Sequence, residues 1–262
     1  DWSSDVCSSD LMDRNNKKEI CRKKDKIFYR EGNTLVKLFD ESYPKENVLN
    51  EALNQARVEN TPLHVPHILG VSTLEGKWAI VMDFIEGETL SSLMEKRPER
   101  REEYISLLVR LQTDISACRV PLLPRLKDKM DAKIARSEYP ETVKYDLQTR
   151  LQGLPKHYKL CHGDFCPGNV IVTSEGVPYI IDWAHATQGN ASADAARTYL
   201  TFRLRGEDEN AESYMKLYCE RTGTARGYIE EILPIVAATQ TEKSTEEEKK
   251  MLRSWVNVVD WQ

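Results

Sequence analysis

Apolar residues follow two different spacings along the chain. Near the start, residues 34–39 and 78–82 form apolar runs of strand length. Between these runs Pro44 opens a segment in which apolar residues recur at helical spacing, at Val48, Leu49, Ala52, Leu53 and Ala56. From residue 89 onward helical spacing dominates, and it predicts helices over 90–96, 98–118, two further segments before Gly153, 195–201, 211–220, 229–238 and 245–258. The pattern therefore predicts a small strand-rich part with one helix, followed by a larger, mostly helical part.

The helical pattern is interrupted once, in the middle of the chain. Residues 158–161, 170–172 and 179–182 are short apolar runs that predict strands. Gly163, Pro167 and Gly168 exclude a regular helix between the first two runs, and residues 174–176, Ser-Glu-Gly, predict a turn between the last two. A hairpin over 170–182 would place Asn169 and Asp182 at the same end.

The segment His-Gly-Asp-Phe-Cys-Pro-Gly-Asn at 162–169 carries residue types that phosphoryl transfer requires. That reaction needs a carboxylate to accept a proton from the attacking hydroxyl, and oxygen ligands that hold Mg²⁺ against the nucleotide phosphates. Asp164 fits the first role, and Asn169 and Asp182, thirteen residues further on, fit the second. The alternative is that these three residues only form turns and end a strand.

Composition limits the classes of function. The chain has 262 residues, 40% hydrophobic and 30% charged, and no apolar run approaches the roughly 20 residues of a membrane-spanning helix. The net charge of −5 argues against a general nucleic-acid binder and is compatible with a cationic small substrate. Six cysteines without a C-x-x-C pair indicate reduced thiols. We expect a cytoplasmic monomer or homodimer with no nucleic-acid or membrane partner.

The order H-G-D-x-x-x-x-N followed by I-D-W resembles the aminoglycoside phosphotransferase and choline kinase-like branch of the protein-kinase fold. The resemblance implies an α+β, bilobal fold with a small N-terminal antiparallel-sheet lobe carrying one helix and a larger, mostly helical C-terminal lobe. It implies that Asp164 is the catalytic base and that Asn169 and Asp182 bind Mg²⁺. It also implies that His162 stabilises the loop and that Asp194, in a G-x-x-x-x-D-x-A element, braces it.

The same resemblance implies a site for ATP or GTP in the first lobe. Lys37 stands where this fold keeps a lysine that grips the nucleotide phosphates, although a solvent-facing lysine is the alternative. Glu51 would pair with Lys37, with Glu46 as the other choice. Residues 83–88 resemble the hinge between lobes, where backbone groups of Asp83 and Ile85 would bind adenine. No glycine-rich loop is present, which argues against a protein kinase.

The acceptor is expected to be small, because only twelve positions separate Asp182 from Asp194, too few for a peptide-binding activation segment. Acidic residues that could hold an amine, or form only a solvated face, are Glu207, Asp208, Glu209, Glu230 and Glu231. An aminoglycoside is the leading candidate acceptor, and choline, ethanolamine, homoserine and fructosamines remain open. A non-catalytic nucleotide-binding scaffold is the alternative from another class.

The predicted organisation has three parts. Residues 12–85 form the nucleotide-binding lobe, and residues 86–262 form the catalytic and substrate-binding lobe. Residues 1–11, Asp-Trp-Ser-Ser-Asp-Val-Cys-Ser-Ser-Asp-Leu, resemble translated sequencing-adapter carry-over. We expect this leader to be non-native and disordered, with Met12 as the native start.

Overall fold

The computed structural model describes residues 18–23, 25–241 and 244–256, so the expectation for residues 1–11 lies outside the described part of the chain. Internal contacts divide the described residues into two compact units. The first unit runs up to Leu53 and includes Pro66–Ile85, and the second consists of Asn54–Val65 and the residues from Glu86 onward. The prediction drew a single boundary after residue 85. Residues 54–65 group with the second unit because Val58 and Val65 belong to its hydrophobic core.

The first unit is an antiparallel sheet with one helix segment. Its strands, in the spatial order β1-β2-β3-β5-β4, are β1 (Lys18–Lys23), β2 (Lys26–Glu31), β3 (Thr34–Phe39), β4 (Ile68–Leu74) and β5 (Lys77–Asp83). Helix α1 (Lys45–Val58) follows Pro44 and supplies its first nine residues, up to Leu53, to this unit.

Successive side chains of β3 point to opposite faces of the sheet, and one of these faces packs against α1. Val36 and Leu38 bury against Ala79, whereas Phe39 packs with Val48 and Ala52 of α1. Since side chains alternate between the two faces of a strand, Lys37 shares the face of Phe39. The strand therefore turns the Lys37 side chain toward α1.

The second unit contains α2 (Leu90–Lys96), α3 (Arg101–Ala117), α4 (Leu126–Arg136), α5 (Glu141–Gly153), α6 (Ala191–Leu204), α7 (Asp208–Thr222), α8 (Arg226–Ala238) and α9 (Glu246–Val256). Two small antiparallel sheets accompany them. Strands β7 (Lys159–Cys161) and β10 (Thr187–Gly189) pair, and β6 (Glu88–Thr89), β8 (Val170–Val172) and β9 (Pro178–Ile180) form the other sheet.

Side-chain caps fix where several of these helices begin. Thr89 accepts a hydrogen bond from the Ser92 amide at the start of α2, and Asn190 accepts one from the Ser192 amide at the start of α6. At the start of α9, Thr245 and Glu248 each accept a hydrogen bond from the other's amide, which is a capping box.

The predicted fold class is confirmed: the protein is α+β, with an antiparallel five-stranded sheet in one unit and a mostly helical second unit. Several boundaries differ from the expectation, among them those of α6, which spans Ala191–Leu204 rather than 195–201. The helix predicted over 98–118 begins as a 3₁₀ turn at Pro98–Arg100, and β9 ends at Ile180 rather than at residue 182. Within the described residues, no helix is both long and apolar enough to cross a membrane.

Candidate active site

The loop 162–169 leaves β7 and turns at once. Gly163 has φ 79°, and a Cβ there would overlap the carbonyl oxygen of His185. Glycine is required on both counts, since other residues rarely adopt this conformation and none fits the space. The loop ends in a 3₁₀ turn, Pro167–Asn169, that leads directly into β8.

Asp194, in the first turn of α6, holds the start of this loop. Its buried carboxylate accepts hydrogen bonds from the backbone amides of His162, at 3.0 Å, and Gly163, at 2.7 Å. Hydrogen bonds to an ionised acceptor are stronger than neutral ones. The structure therefore brings Asp194 to the place where the sequence predicted a brace.

His162 connects the loop to the segment after β9. Its ring is fully buried and packs against Trp183, with ring centroids 4.5 Å apart. Nδ1 accepts a hydrogen bond from the Asp164 amide at 3.2 Å, so Nε2 carries the proton and donates to the Ile181 carbonyl at 3.0 Å. This pattern assigns a neutral ring whose two nitrogens are both engaged within the loop framework.

The Asp164 carboxylate forms an ion pair with Arg197 of α6, with Oδ1 2.7 Å from Nη2. Burial alone would raise the pKa of Asp164. The charge and hydrogen bond of Arg197 oppose burial and hold the pKa of Asp164 below its ordinary value. Asp164 is therefore an ionised, partly exposed carboxylate held in one orientation.

Asn169 and Asp182 lie at the same end of the β8–β9 pair. The register joins Val170 to Ile180, and the Ile181 amide donates to the Asn169 carbonyl at 3.0 Å. The Asn169 side-chain nitrogen donates to the Asp164 carbonyl at 2.8 Å, so its Oδ1 is not used in this hydrogen bond. Asp182 follows with φ 65° and ψ 60°, a left-handed conformation that ends the strand before this residue.

Basic side chains lie on another side of the loop. The Lys129 ammonium of α4 donates to the His185 carbonyl at 3.4 Å, the same oxygen against which Gly163 packs. Burial, followed by the positive charges of Lys129, Arg197 and Lys133, lowers the pKa of His185 to about 3 against the opposing charge of Asp164. His185 is therefore neutral at physiological pH.

A hydrogen-bonded chain reaches the loop from the helices. The Tyr214 hydroxyl donates to Gln112 Oε1, and Gln112 Nε2 donates to Thr198 Oγ1 at 3.2 Å. Thr198 Oγ1 is in turn 2.9 Å from the carbonyl oxygen of Phe165, to which it donates. The chain fixes the peptide group between Phe165 and Cys166, one residue beyond Asp164.

In the first unit, Lys37 and Glu51 form a buried ion pair. The other oxygen of Glu51 lies 3.2 Å from the ammonium of Lys26. Glu46, the alternative partner, is exposed. The structure therefore brings together the lysine and the glutamate that the sequence favoured.

Asp83 and Ile85, whose backbones were predicted to bind adenine, differ in the hydrogen bonds that their backbones already make. The Asp83 amide donates to the His67 carbonyl at 3.0 Å, and the Asp83 carboxylate accepts from the His67 amide at 3.0 Å. Ile85 follows the end of β5, and within the described part of the chain its backbone makes no hydrogen bond. The backbone of Ile85 therefore offers polar groups, whereas the amide of Asp83 is used within the sheet.

Four of the five acidic residues predicted to hold an amine have partners outside the 162–169 segment. Asp208 pairs with Arg203, Glu209 with Arg101 and Glu230 with Arg226. Glu207 accepts a hydrogen bond from Asn210 at 2.8 Å, and Glu231 is exposed. Among the described contacts, none joins these five residues to the 162–169 segment.

Arg197 is the residue beside Asp164 that sequence reasoning left without a role. Its signal was its position three residues after Asp194 on a helix, which puts both side chains on one face. Lys129 and Lys133 were also left without a role, although their spacing of four residues on α4 predicts that they share one helix face.

Comparison with known proteins identifies the family. The sequence model of the phosphotransferase enzyme family matches residues 25–229. The chain belongs to this family. It is therefore a phosphotransferase, as the motif at 162–182 predicts. Among curated proteins, no match to the chain was found.

Solved structures share the fold at low sequence identity. A thermostable aminoglycoside phosphotransferase mutant, in ternary complex with AMP-PNP and hygromycin B, is 15% identical with a TM-score of 0.68, covering 92% of this chain and 90% of that one. A choline/ethanolamine kinase family protein from Mesorhizobium loti is 13% identical with a TM-score of 0.62, covering 93% and 88%. An aminoglycoside 2'-phosphotransferase bound to GDP is 14% identical with a TM-score of 0.58, covering 94% and 89%.

Proposed function

We propose that the protein transfers the γ-phosphate of ATP or GTP to a hydroxyl group of a small polar molecule, with Asp164 as the base. The observation that carries the proposal is the hydrogen-bonded framework that joins Asp164, Asn169 and the residue before Asp182. In this proposal the framework would hold one carboxylate for the attacking hydroxyl, and Asn169 and Asp182 would supply oxygen ligands to a metal.

Asp164 would accept a hydrogen bond, and then the proton, from the acceptor hydroxyl. Its lowered pKa makes it a weak base. Phosphoryl transfer tolerates a weak base, because its loose transition state depends more on positioning and charge stabilisation than on early proton removal. Arg197 supports this role by fixing the carboxylate and keeping it ionised.

Asn169 Oδ1 and the Asp182 carboxylate would hold Mg²⁺. One amide and one carboxylate oxygen fit this ion, which usually takes one or two protein ligands and completes its shell with water and phosphate oxygens. When bound, Mg²⁺ supplies charge neutralisation at the nucleotide phosphates. The chain's own contribution is the hairpin register that keeps the two oxygens at one strand end.

Lys37 would contact the nucleotide phosphates, and Glu51 would hold its ammonium in place. The pair is buried, with side-chain exposures of 5% and 8%. The backbone of Ile85, and the carbonyl rather than the amide of Asp83, would meet the base of the nucleotide. Both nucleotides stay open, since one fold relative is complexed with AMP-PNP and another with GDP.

An aminoglycoside is the acceptor suggested by most of the fold relatives, and a choline- or ethanolamine-like amino alcohol is suggested by another. Homoserine and fructosamines remain further alternatives. The acceptor is tested by measuring ADP and GDP release from purified protein with Mg²⁺ and panels of aminoglycosides, amino alcohols and sugars.

The role of Asp164 is tested with Asp164→Asn. The amide keeps the shape of the side chain but cannot accept the hydroxyl proton, so we expect turnover to fall by about 10²–10⁴-fold with nucleotide affinity largely retained. Steady-state kinetics and calorimetric titration of the nucleotide measure the two quantities. Asp128→Asn, at an exposed position of α4, is the matched control. Undiminished turnover in Asp164→Asn would exclude Asp164 as the base.

A further inference from the structure

Two basic side chains of the second unit contact Asp164 or the residue packed against its loop, and a third follows one turn along α4. Arg197 pairs with the Asp164 carboxylate, and Lys129 donates to the His185 carbonyl beside Gly163. Lys133 stands one turn after Lys129 on α4 and donates to the Thr239 carbonyl at 3.2 Å. We call Lys129, Lys133 and Arg197 the basic cluster. It joins α4, α6 and the end of α8 around one side of the loop.

The electrostatic effect of the basic cluster is visible at His185. Burial is the first cause of its lowered pKa, and all three members of the cluster lower it further, whereas Asp164 raises it. The positive charges together outweigh the Asp164 carboxylate at this ring. At His185, the contributions of these four charged side chains are therefore positive on balance.

A cavity of about 150 Å³ continues this positive surface at Lys133. Four basic residues line it, against the single carboxylate of Glu138, and they are Lys133, Arg136, Lys249 and Arg253. Lys249 and Arg253 pair with Glu246 and Glu138 respectively. The buried hydroxyl of Tyr139, another lining residue, has no hydrogen-bond partner among the described residues. A hydroxyl donor among basic side chains fits anionic oxygens.

Half of the residues that line the cavity lie after the end of the family match. That match ends at residue 229, and five lining residues come later: Ala238, Thr239, Thr241, Lys249 and Arg253. The positive cavity therefore depends on residues that the family pattern does not include. It is a feature by which this chain can differ in acceptor from its fold relatives.

Three of the five carboxylates predicted to recognise a cationic acceptor, Asp208, Glu209 and Glu230, are already paired with arginines of the second unit. A polyamine placed beside Asp164 would meet the like charges of the basic cluster, and like charges repel most strongly where water is partly excluded. A negatively charged group would be attracted instead.

We propose that the acceptor carries an anionic group, a carboxylate or a phosphate, which Lys129 and Lys133 bind at the edge of the cavity while the acceptor's hydroxyl faces Asp164. This inference rests on the proposed phosphotransfer at Asp164 and narrows its acceptor from small polar molecules to hydroxylated anions. It differs from the aminoglycoside expectation in the sign of the acceptor's charge.

The first test measures binding without catalysis. With saturating Mg²⁺ and AMP-PNP in the nucleotide site, inorganic phosphate, glucuronate, glucose 6-phosphate, glucose and glucosamine are titrated calorimetrically into the protein. We expect saturable binding of the anions, weakened about tenfold or more in Lys129→Gln/Lys133→Gln. Glutamine removes the charge but keeps a donor for the two carbonyl oxygens, so the fold is retained. Lys216→Gln, at an exposed position of α7, removes the same charge elsewhere and should bind as the wild type does.

The second test compares acceptors by kcat/KM in the nucleotide-release assay, with matched hexoses and an aminoglycoside such as kanamycin. The inference is supported if kcat/KM is higher for anionic than for cationic acceptors in the wild type. In the double variant this preference should disappear because the KM for anionic acceptors rises. Anion binding that is equal in wild type and double variant overturns it. Preference for kanamycin or glucosamine overturns it too, while leaving the proposed function standing. Failure of every acceptor to stimulate nucleotide release counts against the proposed function itself, whatever the binding data show.

Discussion

At the scale of single residues, Asp182 combines an unusual backbone conformation with a proposed metal ligand. Its φ of 65° and ψ of 60° lie in the left-handed region, which Asp and Asn tolerate better than other non-glycine residues. Chain geometry and ligand chemistry therefore favour the same two residue types here. A substitution at Asp182 tests the ligand alone only if it keeps the conformation.

Asp182→Asn meets that condition. We expect it to keep its thermal stability but to bind MgATP about tenfold or more weakly and to lose most turnover, because a neutral amide is a poorer Mg²⁺ ligand than a carboxylate. Titration of turnover with Mg²⁺ measures the effect. Asp182→Ala should add a loss of stability through backbone strain. Unchanged magnesium dependence in Asp182→Asn would show that the ligand lies elsewhere.

The buried pair of Lys37 and Glu51 makes an asymmetric prediction about stability. Glu51 contacts two lysines, Lys37 and Lys26. Glu51→Gln therefore removes the carboxylate from both lysines, whereas Lys37→Gln leaves Glu51 paired with Lys26. Removing one partner of a buried pair costs about 3–5 kcal/mol. We expect Glu51→Gln to lower the free energy of unfolding more than Lys37→Gln does.

Urea denaturation measures both free energies. Lys37→Gln should nevertheless raise the KM for nucleotide more than any exposed lysine substitution, with Lys216→Gln as the comparison. Equal destabilisation by the two variants would mean that the Lys26 contact contributes nothing.

At the scale of elements, the turn at Gly163 and the turn at Gly176 provide a matched pair. Both glycines have φ 79°, but a Cβ at Gly163 would overlap the His185 carbonyl, whereas one at Gly176 would meet nothing within 4 Å. Gly163→Ala and Gly176→Ala therefore share the backbone strain, and only the first adds the overlap.

We expect Gly176→Ala to lose about 1 kcal/mol of stability and no activity. Gly163→Ala should lose several-fold more stability and most turnover, because the loop must move away from His185. Thermal denaturation and the nucleotide-release assay measure both. Similar behaviour of the two variants would show that the contact between the loop and His185 is not required.

Local sequence signals predicted the helices and several strands but not β4, β6 or β10, and they did not predict the charges around the site. Apolar runs predicted β3 at Thr34–Phe39 and β8 at Val170–Val172, because burial of a strand depends on its own side chains. The end of β9 was predicted two residues late, since the left-handed turn at Asp182 depends on the loop that follows. The ion pair of Asp164 with Arg197 depends on how α6 packs, because the spacing of Asp194 and Arg197 shows only that these two side chains share a helix face.

At the scale of the whole molecule, His185 couples stability to pH. Its pKa of about 3 in the folded state lies below its ordinary value of 6.5, so the unfolded chain binds a proton that the folded protein excludes. Stability from this group is present above pH 6.5 and falls as the pH drops toward 3. Asp164, whose pKa is also lowered, loses stability in the same direction but only in the acid range of carboxylates.

Between pH 5 and 6.5 the histidine effect should therefore dominate, with a slope of up to about 1.4 kcal/mol per pH unit. We expect His185→Gln to flatten the dependence of the unfolding free energy on pH in this window. His157→Gln, at an exposed position, should leave it unchanged. Urea titrations at several pH values measure the slopes, and parallel slopes for wild type and His185→Gln would contradict the assignment of a neutral, buried ring.

All hydrogen bonds in the chain from Tyr214 to Phe165 run in the same donor-to-acceptor direction. Burial raises the pKa of Tyr214 well above 10, so its phenol keeps its proton and always acts as the source. Tyr214 donates to Gln112, Gln112 donates to Thr198, and Thr198 donates to the carbonyl oxygen of Phe165. Aligned dipoles polarise one another, so the string behaves as a single oriented unit. Through this chain, Tyr214 of α7 contributes to the electric field at the peptide group after Phe165, although it is far from Asp164 in sequence.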